Sequence, residues 1–363
     1  MKKILFVTNS PAPYREDLYN DLSNHCVDEN IDFIVVYYRL YEKNRSWSVD
    51  LNKSKYKYRL FNSRQYFFGS LDTYLSLNPF FYFLKKNPDI VLLAGAWHYL
   101  SNLLILIFCK LSSKKIVFWC ESNKYSDKSN LKIIRGIKKL FYKLIDQYIL
   151  PGNESISYIK KYNNKFEFVI APNSVSNKFL SNEYHYVNNK DMIFVGELCD
   201  RKGIMAICHS LISLGASLPQ NFTFYIVGDG KHKDSILKLC QQYKFIEYLG
   251  YLDYELLISY FRKVNSVILH TSLDPSPLVV NESIVLGKIP IVSNRAGNSS
   301  DCIIDDFSNF VYEYDLLTET LEGYFASPHD SLMDYSKGLF QLKCNYVSEN
   351  ISKNICEFIL KND

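Results

Sequence analysis

Apolar residues along this chain fall into short unbroken runs, each closed by a turn signal. Residues 3–8 (Lys-Ile-Leu-Phe-Val-Thr) form the first run, ended by Asn9, Ser10 and Pro11. Runs of this length suit strands buried on both faces, whereas a half-exposed sheet would alternate apolar and polar positions. A helix is expected over 15–23 and a second strand over 32–38. Strands at 90–93, 116–119, 146–150 and 166–171 follow, interleaved with helical stretches. The pattern starts again at Met192-Ile193-Phe194-Val195-Gly196 and recurs at 222–227, 266–269 and 289–292. Alternating strands and helices predict α/β architecture with parallel sheets. Residues 172–189 are rich in Asn and Ser and lack periodicity, which marks a linker. Two doubly wound domains in tandem are therefore expected, 1–175 and 190–330. Residues 331–363 should form a helix, over about 332–360, packing back on the first domain.

One stretch imitates a membrane span. The 20 residues from Ile90 to Cys109 contain no Asp, Glu, Lys or Arg. They do contain Gly95, His98, Ser101 and Asn102, and polar groups are costly in lipid, so strand–turn–helix is the better reading. The run after Met1 is too short for a signal-peptide core. Nine cysteines, an odd number with no C-x-x-C pair, argue against a disulfide framework or a zinc knuckle and for a reducing cytosol.

Composition adds little: 47% hydrophobic and 22% charged residues are ordinary for a globular chain of 363 residues. The net charge of +4 conceals a division. Residues 1–180 hold 27 Lys and Arg against 15 Asp and Glu, a balance of +12, and the remainder carries −8. Such asymmetry points to domains with unlike partners.

Three segments of the second half carry candidate chemistry. In Val195-Gly196-Glu197-Leu198-Cys199-Asp200-Arg201-Lys202-Gly203, a strand ends in glycine and a turn with two adjacent cations leads into a helix. Helix-start N–H groups beside Arg and Lys make an anion site. In Ile226-Val227-Gly228-Asp229-Gly230, two glycines after a strand let a ligand approach the backbone. From Asp274 to Pro290, two acids stand eight apart, Asp274 in a loop and Glu282 within the first turns of a helix opened by Leu278 and Val279. Carboxylates accept hydrogen bonds, which suits sugar and ribose hydroxyls. Taken singly, each segment also reads as an ordinary turn or capping pair.

In this order and spacing the three segments resemble retaining glycosyltransferases of the GT-B fold, of the family 4 type, most strongly over 190–310. The family's paired acids and following glycine–proline correspond to Asp274, Glu282 and Gly287-Lys288-Ile289-Pro290. Tyr248-Leu249-Gly250-Tyr251, Arg295-Ala296-Gly297 leading to Asp301, and Pro172-Asn173-Ser174-Val175 are also similar to it. Asn9 to Arg15 resembles the opening of enzymes that build bacterial surface polysaccharides. Three positions depart: Asp274 stands where Glu is usual, Glu197 where Arg is usual, and Pro11-Ala12-Pro13 where a glycine pair is usual.

The resemblance implies two Rossmann-type domains facing a cleft. It further implies transfer of a sugar from a nucleotide-diphosphate donor to a lipid-linked or oligosaccharide acceptor in O-antigen or capsule synthesis. Arg201 and Lys202 would then stabilise the leaving phosphate, Asp274 would hold donor-sugar hydroxyls, and Glu282 would hold the ribose. Gly196, Gly228, Gly230 and Gly250, with the helix start at Leu278 and Val279, would bind the rest of the donor. No Asp-x-Asp occurs, so no metal and no other cofactor is expected. On the acceptor side stand Arg15, Trp97, His98 and Glu121, with Trp119 and Asn123 nearby, at expected carboxyl ends of strands.

Lys124, Lys128, Lys132, Arg135, Lys138, Lys139 and Lys143 interleave with Ile133, Ile134, Ile137, Leu140, Phe141 and Leu144. A basic amphipathic helix of this kind suits an anionic membrane surface. The aromatics Tyr66, Phe67, Phe68 and Phe80 to Phe83, beside Lys85 and Lys86, favour the same reading. A cytoplasmic enzyme peripheral on the inner face of the membrane is expected. The interleaved apolar face and the lack of a helix-turn-helix signal argue against nucleic acid. A nucleotide-sugar epimerase of the same architecture and a non-catalytic nucleotide-sugar binder are the alternatives.

Overall fold

The computed structural model describes residues 1–41, 49–68, 71–126, 132–181, 183–304 and 309–361. It divides into two units, Met1–Ser176 with Ser348–Asp363, and Asn177–Val347. In the first unit the chain forms β1 (Lys2–Thr8), α1 (Pro13–Asp28), β2 (Ile31–Tyr37), β3 (Lys57–Leu60), β4 (Gln65–Phe68), β5 (Leu71–Tyr74) and α2 (Asn78–Lys86). It continues through β6 (Ile90–Leu93), α3 (Leu100–Leu111), β7 (Lys115–Trp119), α4 (Lys132–Leu144), β8 (Gln147–Leu150), α5 (Asn153–Lys160) and β9 (Glu167–Ile170).

Seven of these strands form one sheet of order β3-β2-β1-β6-β7-β8-β9, parallel throughout. The central β1 is covered on both faces: Ile4 and Phe6 pack into one core cluster, Leu5 and Val7 into another. That explains why its run is unbroken. Two elements escape the apolar pattern. The edge strand β3 reads Lys-Tyr-Arg-Leu because it pairs only with β2 and stays largely exposed. The antiparallel hairpin β4–β5 stands outside the main sheet. The apolar stretch 90–109 resolves into β6 and most of α3, and among the described residues no helix is long and apolar enough to cross a membrane.

The second unit contains β10 (Met192–Val195), α6 (Ile204–Leu214), β11 (Phe224–Val227), α7 (Lys233–Gln242), β12 (Ile246–Gly250) and α8 (Tyr254–Phe261). β13 (Ser266–Leu269), α9 (Leu278–Val285), β14 (Ile289–Ser293), β15 (Phe310–Tyr312), α10 (Leu317–Ala326) and α11 (His329–Gln341) complete it. Its sheet is also parallel, in the order β12-β11-β10-β13-β14-β15. In each sheet the connections reverse direction once, between β1 and β6 and between β10 and β13. Open α/β sheets take ligands at the carboxyl ends of the strands at such a point.

The 172–189 stretch is not a loose linker at either end. Ser174 and Val175 are fully buried in the first unit, where Ser174 Oγ donates to Tyr14 O (3.1 Å). Phe179 is buried in the second, edge-on to Tyr254 and Phe261. The single C-terminal helix expected over 332–360 is in fact two. α11 stays with the second unit, where Tyr335 donates to Cys302 O and Ser336 Oγ to Gly287 O. After the turn Leu342–Tyr346, α12 (Ser348–Leu360) joins the first unit. Its Ile351, Ile355 and Ile359, four apart on one helical face, enter the core with Leu18, Leu22 and Cys26 of α1. Lys115 Nζ caps its end by donating to Ile359 O (2.8 Å). Among the described residues, which include all nine cysteines, there is no disulfide.

Candidate functional site

Three of the glycines singled out stand where β10, β11 and β12 end. Gly196 N donates to Val227 O (3.0 Å) and Gly228 N to Gly250 O (2.8 Å), so the three strand ends are tied together. A side chain at Gly228, whose φ is +135°, would run into Gly196 O, so this close approach demands glycine. Tyr248 donates its hydroxyl to Gly228 O (3.0 Å) and closes the group. Gly230 abuts Leu198 O at the start of the next loop.

From Gly196 the chain enters a single helical turn, Asp200–Lys202, then turns left-handed at Gly203 (φ +72°) into α6. A side chain at Gly203 would strike His270 O, which places this turn directly against the end of β13. Backbone bonds reinforce the join: Ser272 N donates to Arg201 O (2.9 Å), as does Thr271 Oγ1 (3.0 Å). The result brings together residues far apart in sequence. Lys202 Nζ forms an ion pair with Asp274 Oδ2, and both side chains are largely covered, at 13% and 14% exposure. Arg201 Nη1 lies 3.4 Å from the same oxygen and donates to Leu273 O (3.1 Å), while its Nη2 is 3.6 Å from Glu197. The two predicted cations and the first predicted acid thus form one cluster at the point where the sheet connections reverse.

The loop carrying Asp274 rests on a second loop. Asp274 bridges Ala296, and Gly297 N donates to Asp274 O (2.8 Å). Asn298 then anchors the start of α9, donating through Nδ2 to Pro277 O (3.0 Å) and to Asn281 Oδ1 (2.7 Å). Pro277 offers no side-chain cap. Among the described residues the N–H groups of Leu278 and Val279 have no acceptor, as expected for a first helical turn. One turn on, Glu282 is 6% exposed, and among the described residues its carboxyl has no ion-pair partner. Burial alone pushes its carboxyl up to about 8, so near neutral pH it is largely protonated.

His270 was not foreseen. It follows β13, is stacked on Tyr314 (4.1 Å between ring centroids) and shares a hydrogen bond with Tyr312 (3.1 Å). Arg295 also lies over the Tyr314 ring, its guanidinium carbon 3.9 Å from the ring centre. Burial, with Arg295 adding to it, holds the imidazole down to about 4, so it is neutral and serves to brace the turn above it. Its place just past a buried strand at the ligand edge was the one signal available.

In the first unit, Arg15, Trp97, His98 and Glu121 all lie at the carboxyl edge of the sheet. Arg15 and Glu121, two of the acceptor-side candidates, form an ion pair. Arg15 also covers the Trp119 ring (4.8 Å) and donates to the Tyr19 hydroxyl (3.2 Å). Trp119 is core, stacked on Phe6, and Asn123 is buried with its Oδ1 accepting from Tyr125 N. Trp97 and His98 are half-buried after β6, in edge-on contact with each other.

The basic helix is corrected in detail. Lys138 does not belong to a solvated face; it is buried over the rings of Tyr158 (5.0 Å) and Tyr162 (5.4 Å). Phe141 is buried too, Lys124 lies in a separate turn, and Lys128 falls outside the described residues. What α4 exposes is an apolar stripe, Ile133, Ile137 and Leu140, flanked by Lys132, Arg135, Lys139 and Lys143. Leu111 and Ile107 of α3, which packs against α4, and Phe81 of α2, which packs against α3, are exposed as well.

Residues 176–326 match the family model described as glycosyl transferases group 1. No curated protein matches the sequence. Solved structures do match across their length. A glycosyltransferase from Rickettsia africae ESF-5 has a TM-score of 0.70 at 16% identity, covering 100% of this chain and 99% of that one. The apo form of WaaB, a lipopolysaccharide outer core galactosyltransferase, gives 0.70 at 15%, covering 99% and 100%. Anabaena Alr3699/HepE in complex with UDP and glucose gives 0.67 at 14%, covering 99% of each chain. With its two parallel-sheet units, the chain has the GT-B fold.

Proposed function

We propose that this chain is a retaining glycosyltransferase that moves a sugar from a nucleotide-diphosphate donor held by the second unit. The observation that carries the reading is the Arg201–Lys202–Asp274 cluster beside the open start of α9, at the reversal point of the sheet. In the transfer, negative charge collects on the departing diphosphate. Lys202, Arg201 and the N–H groups of Leu278 and Val279 are donors fixed where that charge develops, which lowers the barrier. Asp274 accepts from donor-sugar hydroxyls and Glu282 from the ribose. Gly196, Gly228, Gly230 and Gly250 leave room for the nucleoside. The two cations do the work that a metal would otherwise do, and the reaction runs without one.

The acceptor is a lipid-linked saccharide of a bacterial surface polysaccharide, met at the cytoplasmic face of the membrane. The support is the exposed stripe Ile133, Ile137 and Leu140 among lysines, which suits an anionic bilayer. Arg15, Trp97, His98 and Glu121 are the acceptor-side candidates. The test is to incubate the protein with a panel of nucleotide sugars, with and without a polyprenyl-diphosphate saccharide, and to detect released nucleoside diphosphate. Acceptor-dependent release supports the reading. Turnover of no donor under either condition overturns it, and epimerised donor without acceptor would favour an isomerase.

A further inference from the structure

The first unit has a second polar concavity that none of these roles uses. A cleft of about 520 Å³ opens where β2 and β3 end, lined by Arg39, Tyr41, Ser63, Arg64, Gln65 and Tyr66 among others. This is the carboxyl edge of the sheet, where ligands bind. Its floor is held by the backbone: Arg39 N donates to Asn9 O (3.1 Å) and Ser63 N to Tyr38 O (2.9 Å).

The donors are left in an unusual state. Arg39 Nη1 is fixed by donating to Gln65 Oε1 (3.0 Å). Arg39 Nε is buried and has no acceptor among the described residues, and the hydroxyl of Ser63, which lines the same cleft, is buried without a partner among them as well. Buried donors are nearly always satisfied, so two such groups in one cleft mark a place where something else bonds. The remaining edge of the guanidinium, Nε with Nη2, presents two parallel N–H bonds, the fork that matches two oxygens of a phosphate. Arg64 adds a second cation on the exposed rim. Among the described residues neither guanidinium has an ion-pair partner. Tyr41 and Tyr66 are exposed and bring hydroxyls to the same rim.

We propose that this cleft is a binding site for a phosphate or diphosphate group, with the Arg39 fork and the Ser63 hydroxyl as its specific contacts and Arg64 as its outer charge. On the reading given above, and resting on it, that group is the diphosphate joining the acceptor's sugar to its lipid. The anion site itself does not depend on that reading.

The experiment titrates inorganic pyrophosphate into the full chain carrying Lys202→Ala, which weakens the second unit's own anion cluster, and reads binding by calorimetry. Saturable binding is expected. Adding Arg39→Gln should weaken it at least about tenfold, as loss of a charge-assisted bidentate contact does. Adding Arg64→Gln should weaken it less and reduce its salt dependence. Because Arg39 also holds Gln65, thermal melts accompany each variant; Arg64, on the rim, gives an independent reading should Arg39→Gln unfold. Absence of binding to the Lys202→Ala chain, or binding unchanged by both substitutions, overturns the site. A second arm uses farnesyl diphosphate. Tighter binding than pyrophosphate, lost in the same variants, supports the acceptor assignment. Equal binding of the two overturns that assignment and leaves a site for a free anion. Failure of the transferase reading would show in the donor screen and leave the pyrophosphate arm untouched.

Discussion

Glu282→Gln isolates the most costly group in the second unit. The carboxyl ionises near 4.5 when solvated, and burial raises it to about 8 in the folded chain. A raised folded value means that its contribution to stability is whole below pH 4.5, drains away as pH climbs, and stops changing above about 8. At about 1.4 kcal/mol per unit of pKa difference, the drain between pH 5 and pH 8 amounts to about 3 kcal/mol. Glutamine keeps the shape and cannot ionise, so the variant should gain about that much on the wild type across the interval. Urea unfolding by far-UV circular dichroism at pH 5, 6.5 and 8 measures this. The second unit's transition can be separated because it contains no tryptophan, the last in the sequence being Trp119 of the first unit, so tryptophan fluorescence does not follow the second. Wild-type and variant stabilities that run parallel within about 1 kcal/mol from pH 5 to pH 8 would refute the reasoning. On the donor reading the same variant trades stability for function, since ribose hydroxyls donating to Glu282 would favour its ionised form, a state that the amide cannot adopt. Its KM for the donor should rise about tenfold.

Lys202→Ala should cut turnover by about 10²-fold or more, as removing a transition-state charge partner does; steady-state kinetics near wild type would dismiss the assignment. Asp274→Asn releases both cations from their pairing, so nucleoside diphosphate should bind more tightly by calorimetry while sugar transfer falls. Replacing Ile133, Ile137 and Leu140 with Ser should abolish cosedimentation with anionic vesicles and change the melting temperature only slightly, because these side chains are exposed and lie outside the buried core. Activity should survive excess EDTA, and its loss would count against charge stabilisation by Arg201 and Lys202 alone.

The strands that are covered on both faces were legible because burial on both faces demands an unbroken apolar run. The edge strand β3 was not, since its exposure admits Lys and Arg and erases the run, and neither was the hairpin β4–β5, which stands outside the main sheet. The same rule explains the basic helix. Its alternation was visible, but which face turned inward was not. A lysine that lies over tyrosine rings is as buried as a phenylalanine, so Lys138 went inward while Ile133, Ile137 and Leu140 stayed out.

Within the candidate site, the turn glycines and the positions of the charges could be read locally, because each is dictated by its own strand end. Their pairing could not. Lys202 meets Asp274 across 72 positions and Arg15 meets Glu121 across 106, and only the parallel order of each sheet puts those strand ends side by side. This alters the meaning of the charge division. The second half of the chain carries −8, so Arg201 and Lys202 run against its sign, and a carboxylate already sits between them. A singly charged ligand gains little by displacing one carboxylate with another anion of equal charge. A nucleoside diphosphate, with more than one negative charge and further acceptors for the N–H groups at the start of α9, gains on both counts. On the donor reading the pairing would act as a filter on ligand charge, and the acidic surroundings would sharpen it by penalising any anion that does not reach both cations.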